Sequence, residues 1–313
     1  MTSNKIIPVD TETLNMPVRA NWQYWAAGGI FMLLNKLRHD FQGYVTPRTF
    51  SIDDVNKAIE YDFSVVNSWR YYLNSYVGES VSLEERTVME LGPGADLGIG
   101  TILVALGVRK YCALDVHNLV ENVEDKFYEA LLERIEKNKI SNISIDVLRE
   151  QLSLTSSGKN DKINYVCDPE FNLGNFKEEG VDLVFSQAAF EHFDDIPKTF
   201  EQMTEVVKPG AVLLAEIDLS THTRWLRDVD PLNIYRYSSW YYNLTKFRGS
   251  PNRMLPSEYK TILEDLGWRN VKIIPRRVLD NSYVGRVLPV LPGKFKCAHN
   301  DLVNHSVILA ATR

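Results

Sequence analysis

The stretch that most constrains this chain is VMELGPGADLGIG, from Val88 to Gly100. An apolar run, Val88 to Leu91, carries one acid, Glu90, and breaks at Gly92-Pro93-Gly94. Leu97 to Leu106 follows with the apolar spacing of a buried helix. The segment therefore predicts a strand, a glycine turn and a helix, a junction at which a ligand can lie against the main chain because no Cβ holds it away.

Glu90 narrows the choice of ligand. Beside a pyrophosphate it would set negative charge against negative charge. Beside a sulfonium or an amino group it is favourable, so the turn favours S-adenosylmethionine over a dinucleotide.

From Glu85 onward short apolar runs alternate with longer amphipathic ones, as in a parallel α/β sheet. Strands are expected at Thr87 to Leu91, Tyr111 to Asp115, Ile163 to Cys167, Val181 to Ser186 and Ala211 to Ile217, with Pro209-Gly210 turning a helix into the last of these. Helices are expected at Leu97 to Leu106, Leu119 to Lys137 and Ile196 to Val207, and a loop from Ser141 to Lys162. Upstream, Asn21 is placed to cap one helix ending near Leu37, and Ser51 to open another that ends near Tyr76. Residues 1–80 thus read as a helical cap, with Trp22, Tyr24 and Trp25 on its inner face.

Ligands of such sheets bind beyond the C-terminal strand ends. There stand Gly92, Pro93 and Gly94; then Asp115 with Val116 and His117, an acid suited to ribose hydroxyls; then Asp168, suited to an exocyclic amine; then Ser186 and Gln187, with His192 near the cleft. The fifth strand ends at Asp218, and His222 follows. A carboxylate and an imidazole at an open edge can form a general-base pair, so His222 oriented by Asp218 is the first choice of base and His192 the second.

These residues resemble the class I S-adenosylmethionine-dependent methyltransferases over about Glu85 to Arg313. Glu90, Gly92 and Gly94 match the first motif of that superfamily, Asp115 its ribose acid, Asp168 its adenine-side acid, DLVFSQAAFEHF its fourth-strand motif and VVKPGAVLLAEID its fifth. Asp96 stands where many members have a third glycine. The resemblance implies a Rossmann-like seven-stranded sheet whose last strand runs antiparallel between the fifth and sixth. It places a methyltransferase domain at 81–313, with insertions at 219–255 and 278–304. More narrowly, Asp218 to His222 followed by DPLNIYRYSSWYYN resembles methyltransferases of bacterial surface-polysaccharide biosynthesis, which implies O-methylation of a sugar. The aromatics and arginines between Arg224 and Leu255 suit the faces and phosphates of a nucleotide- or lipid-linked sugar.

The remaining signals narrow the field. A net charge of -6 with no basic block lacks the footprint of a nucleic-acid binder. Cys112, Cys167 and Cys297 have no metal-ligand spacing and read as reduced core thiols of a cytoplasmic protein; no metal is implied. The apolar run Tyr24 to Leu34 is about eleven residues, short of the roughly 20 that span a bilayer. One rival parse sets Gly94, Gly98 and Gly100 as the loop of short-chain dehydrogenases, with Tyr242 and Lys246 as their proton-exchanging pair and NADP as cofactor. Another is a non-catalytic cofactor-binding partner protein.

Overall fold

A computed structural model describes residues 11–16, 22–43, 52–159 and 161–313, without the side chains of Ile52, Asp53 and Arg224. Asn21 and Ser51, the expected helix caps, lie outside the described residues.

Eight strands form one sheet: β1 (Glu12–Leu14), β2 (Thr87–Leu91), β3 (Lys110–Asp115), β4 (Ile163–Cys167), β5 (Val181–Gln187), β6 (Val207–Asp218), β7 (Arg269–Leu279) and β8 (Asn304–Thr312), in the order β1-β7-β8-β6-β5-β2-β3-β4. Neighbours are parallel except β8, which runs antiparallel between β6 and β7. Without β1 this is the expected seven-stranded arrangement. The eighth strand comes from the N-terminal region: Glu12 to Leu14 pairs parallel with Arg277 to Leu279 at the free edge of β7. Three residues carry too little alternation to be read as a strand; the open edge beside them supplies the signal.

The sheet is covered on both faces. On one lie α2 (Ile52–Val77), α3 (Gly98–Ala105), α4 (Asp125–Lys137) and α5 (Ile145–Ser156), whose buried residues share one core with Val88, Ala113 and Phe185. Trp69 of α2 stacks on Phe185 at 4.6 Å. On the other lie α6 (Ile196–Val206) and α9 (Pro256–Asp265), joined through Phe200, Met203, Tyr259 and Leu263. Helix α5 falls in the stretch expected to be a loop. Its start is an ordinary one, with Ser144 Oγ accepting from Val147 N, and it buries Leu148 and Leu152 one turn apart. The Ser156-Ser157-Gly158 turn that suggested a loop closes the helix instead. The turn expected at Pro209-Gly210 lies inside β6, where the register slips between the Val181–Val207 and Leu183–Val212 pairs and Gly210 has a φ of +83°.

Helix α1 (Trp22–Gln42) does not join this core. It rests on the insertion after β6, which holds α7 (Arg224–Val229) and α8 (Ser239–Thr245). The contact is made through the α1 main chain: Asn233 Nδ2 donates to Tyr24 O, Tyr237 Oη to Trp25 O and Tyr241 Oη to Gly29 O. Gly28 permits the approach, since a Cβ there would lie 2.0 Å from Asn233 Oδ1. Of the side chains expected to face inward, Trp22 and Trp25 are exposed; Tyr24 meets Trp225 edge-on. Among the described residues no helix is long and apolar enough to cross a membrane. All three cysteines are free, but Cys297 is exposed rather than part of a core.

Candidate functional site

The strand order reverses between β2 and β5, and the loops leaving their C-terminal ends diverge there. A cleft of about 940 Å³ opens at that point. The glycine turn forms one wall. Gly92 has a φ of +76°, and a Cβ on it would meet that of Ala189 at 2.7 Å, so only glycine lets the two loops pass.

Glu90 closes the cleft's inner end. It is 1% exposed, accepts a 2.5 Å hydrogen bond from Tyr111 Oη, and burial raises its pKa to about 8 despite that bond. Asp96, the residue in place of a third glycine, accepts from Gly98 N and lines the cleft, with its pKa raised by burial to about 6. Asp62 of α2 reaches in from the opposite side. It is buried, its Oδ2 has no hydrogen-bond partner, and burial beside Asp96 and Glu90 raises its pKa to about 9. Three carboxylates therefore line one cleft, and among the described residues none of them is in an ion pair. That donor set fits a cationic amine or sulfonium.

Asp115 accepts from Gly94 N at 3.2 Å and from His117 N at 3.1 Å, tying the loops after β2 and β3. Pro93, Gly94, Val116, His117 and Gln187 also line the cleft. Two expected cofactor residues do not. Asp168 accepts from Glu170 N and Asn175 Nδ2 and is spent on its own loop; Glu170 and Phe171 face the cleft instead. Ser186 is fully buried and donates to Leu91 O, clipping β5 to β2.

The expected base pair also rearranges. Asp218 Oδ1 accepts from the Ser220 amide and hydroxyl, and Oδ2 is paired with Arg227. It therefore does not orient His222, whose Nδ1 meets Ser220 O at 3.1 Å. His222 lies outside the cleft lining and stands edge-on to His192, with ring centroids 4.7 Å apart. His192 lines the cleft. Its Nδ1 lies 2.7 Å from Gly249 O, an acceptor only, so the proton sits on Nδ1 and the Nε2 lone pair is free. Burial holds its pKa below the usual histidine value.

The insertion contributes less than its composition suggested. Tyr235, Tyr237 and Tyr242 are buried, Arg236 is paired with Asp230, and Arg253 stacks on Tyr242 while donating to Tyr237 O. Among the described residues of this region, only Phe247, Arg248 and Gly249 reach the cleft. Tyr242, half of the rival dehydrogenase pair, donates to Pro251 O and lies outside it, and Gly98 and Gly100 are buried in α3.

Residues 95–215 match the family described as methyltransferase domain. Over that segment the chain is similar to a methyltransferase domain. No curated protein matches the chain in sequence. Solved structures resemble it distantly: the CurJ carbon methyltransferase (14% identity, 93% of this chain and 68% of that one, TM-score 0.45), phosphoethanolamine N-methyltransferase 2 of Haemonchus contortus (16%, 91% and 57%, TM-score 0.43) and an O-methyltransferase family protein of Burkholderia thailandensis (14%, 93% and 70%, TM-score 0.40). Likenesses at this distance say nothing of the acceptor.

Proposed function

We propose that the chain transfers the methyl group of S-adenosylmethionine to a hydroxyl oxygen of a small molecule, with sugars the first acceptor class to test. The observation that carries this reading is that one cleft is lined both by the carboxylates of Glu90, Asp62 and Asp96 and by a histidine whose Nδ1 is held by Gly249 O, leaving its Nε2 lone pair free.

In this reading Glu90, with Asp62 and Asp96, holds the cationic end of the cofactor, Gly92, Pro93 and Gly94 let it lie on the main chain, and Asp115, Val116 and His117 take the ribose side. Gln187 lies on the cleft wall. Bound cofactor supplies an electrophilic methyl on a good leaving group, so the protein's own tasks are alignment and disposal of the acceptor's proton. His192 takes the base's place from His222 because it faces the cleft. Low basicity suits it, since an unprotonated imidazole is ready to receive a proton at neutral pH. Phe247, Arg248 and Lys198 stand at the rim where an acceptor would enter; an arginine and a lysine there would favour one bearing an anionic group.

Calorimetric titration with S-adenosylhomocysteine and, separately, NADPH tests the cofactor assignment, with micromolar binding of the first alone expected. Methyl transfer to a panel of sugars, sugar nucleotides, amines and phenols tests the acceptor. Transfer to amines but to no hydroxyl compound would overturn the oxygen assignment.

A further inference from the structure

Behind the cleft floor, one nitrogen of His192, one of His222 and one carboxylate oxygen of Glu191 all lie within 4.8 Å of one another. Glu191 follows β5 in the 3-10 turn Phe190–His192 and is 3% exposed. Neither of its carboxylate oxygens has a hydrogen-bond partner. The amides of Glu191 and Asp218 lie near enough to ease the charge, but without hydrogen-bond geometry, and burial raises the carboxyl's pKa well above its usual value.

Protonation does not resolve this. A neutral carboxyl would still need an acceptor for its O–H, and none stands in hydrogen-bond geometry to either oxygen, the two histidines included. The histidines complete the picture. Each faces a backbone carbonyl with Nδ1, Gly249 O for His192 and Ser220 O for His222, so each offers Nε2 as a lone pair. A ring held by a carbonyl on one nitrogen and free on the other is the usual state of a metal-ligating histidine.

We propose that Glu191, His192 and His222 form a binding site for one divalent transition cation of the nitrogen-preferring kind, such as zinc, cobalt or iron. Three protein ligands leave coordination positions open for water or an acceptor oxygen, and the two-histidine, one-carboxylate set suits these ions better than magnesium or calcium. Ligand bonds of about 2.0–2.2 Å require the donors to draw closer than they now stand. His222 can supply that movement: it is exposed and lies in the loop between β6 and α7.

The site stands independently of methyl transfer, but its consequence rests on that reading. In the loaded protein the Nε2 of His192 is occupied, so it would act on the acceptor through the cation, and the acceptor's proton would leave to solvent.

The test uses full-length protein dialysed against chelator and titrated with Co²⁺, read by visible absorption and by calorimetry. Binding of one equivalent with a ligand-field band is expected, and His222→Ala and Glu191→Gln should each weaken it by about tenfold or more. Because His222 is exposed, its alanine variant should keep the fold, which circular dichroism checks. Absence of Co²⁺ binding by the parent protein, or equal affinity in a folded His222→Ala variant, would overturn the site. Titration of the same samples with S-adenosylhomocysteine keeps the two readings apart: cofactor binding without cobalt binding refutes the cation site alone.

Discussion

The glycine turn and the pocket behind His192 handle buried carboxylates in opposite ways. At the glycine turn, Glu90 and Asp96 keep hydrogen bonds from Tyr111 and Gly98, and Asp62 completes a cluster of like charges that protons can neutralise until a cationic ligand arrives. Behind the cleft floor, Glu191 has no hydrogen-bond partner and stands near two histidine nitrogens, so a proton alone satisfies it poorly. A carboxylate among acids waits for a ligand's charge; one among histidines suits a charge shared with them.

The largest effect expected from this contrast is at the floor. His192→Ala should lower turnover by roughly 10²- to 10⁴-fold while leaving the affinity for S-adenosylhomocysteine within about twofold. Steady-state kinetics beside calorimetry decide it, and parallel losses in both would place His192 in the cofactor site. At the glycine turn, Glu90→Gln should weaken cofactor binding by about tenfold to a hundredfold, as expected for losing a charged partner to a buried cation.

The pH dependence sharpens the distinction. Glu90 near 8, Asp62 near 9 and Asp96 near 6 are largely protonated at their lower range and must ionise to hold a cation. Cofactor affinity should therefore rise between pH 6 and 9, with protons released on binding, measurable by calorimetry in buffers of different ionisation enthalpy. The same raised values act on stability. A folded-state pKa above the unfolded one means the native state holds protons more tightly, so its contribution is present at low pH and lost as pH rises through about 9. Asp62→Asn should thus stabilise the ligand-free protein more at pH 8.5 than at pH 5, by up to several kcal/mol at about 1.4 kcal/mol per pH unit, with denaturant melts at both values as the check.

Much of the glycine-turn side of the cleft is legible in the sequence. The bounds of β2 and β4 coincide with the expected runs, and β2, buried at every residue, is legible because a parallel strand buried on both faces leaves a near-continuous apolar signal. Asp62 was missed because it lies on a helix far upstream and only packing brings it to Glu90. Its one local trace is an acid on the same stripe as Ile59, Val66 and Trp69, all buried. Asp96 was visible as a departure from a glycine pattern, but its value as a third carboxylate needed the fold. The acceptor side was less legible still. Asp218 and His222 are near in sequence, yet the turn between them spends the acid on Ser220 and Arg227. The cluster that does form joins residues from the loops after two different strands. Aromatics and arginines of the insertion resembled a sugar platform because burial and binding draw on the same residue types.

Helix α1 is held by its carbonyl groups and by the absence of side chains at Gly28 and Gly29. Its recognition is therefore written largely in the backbone, with ring contacts from Tyr24, Trp25, Phe31 and His39 beside it, and the exposed Ile30, Leu33, Leu34, Leu37 and Phe41 make none of these contacts. That surface can be recoded almost freely while the attachment is kept, so solubility and fold are separable properties of one helix.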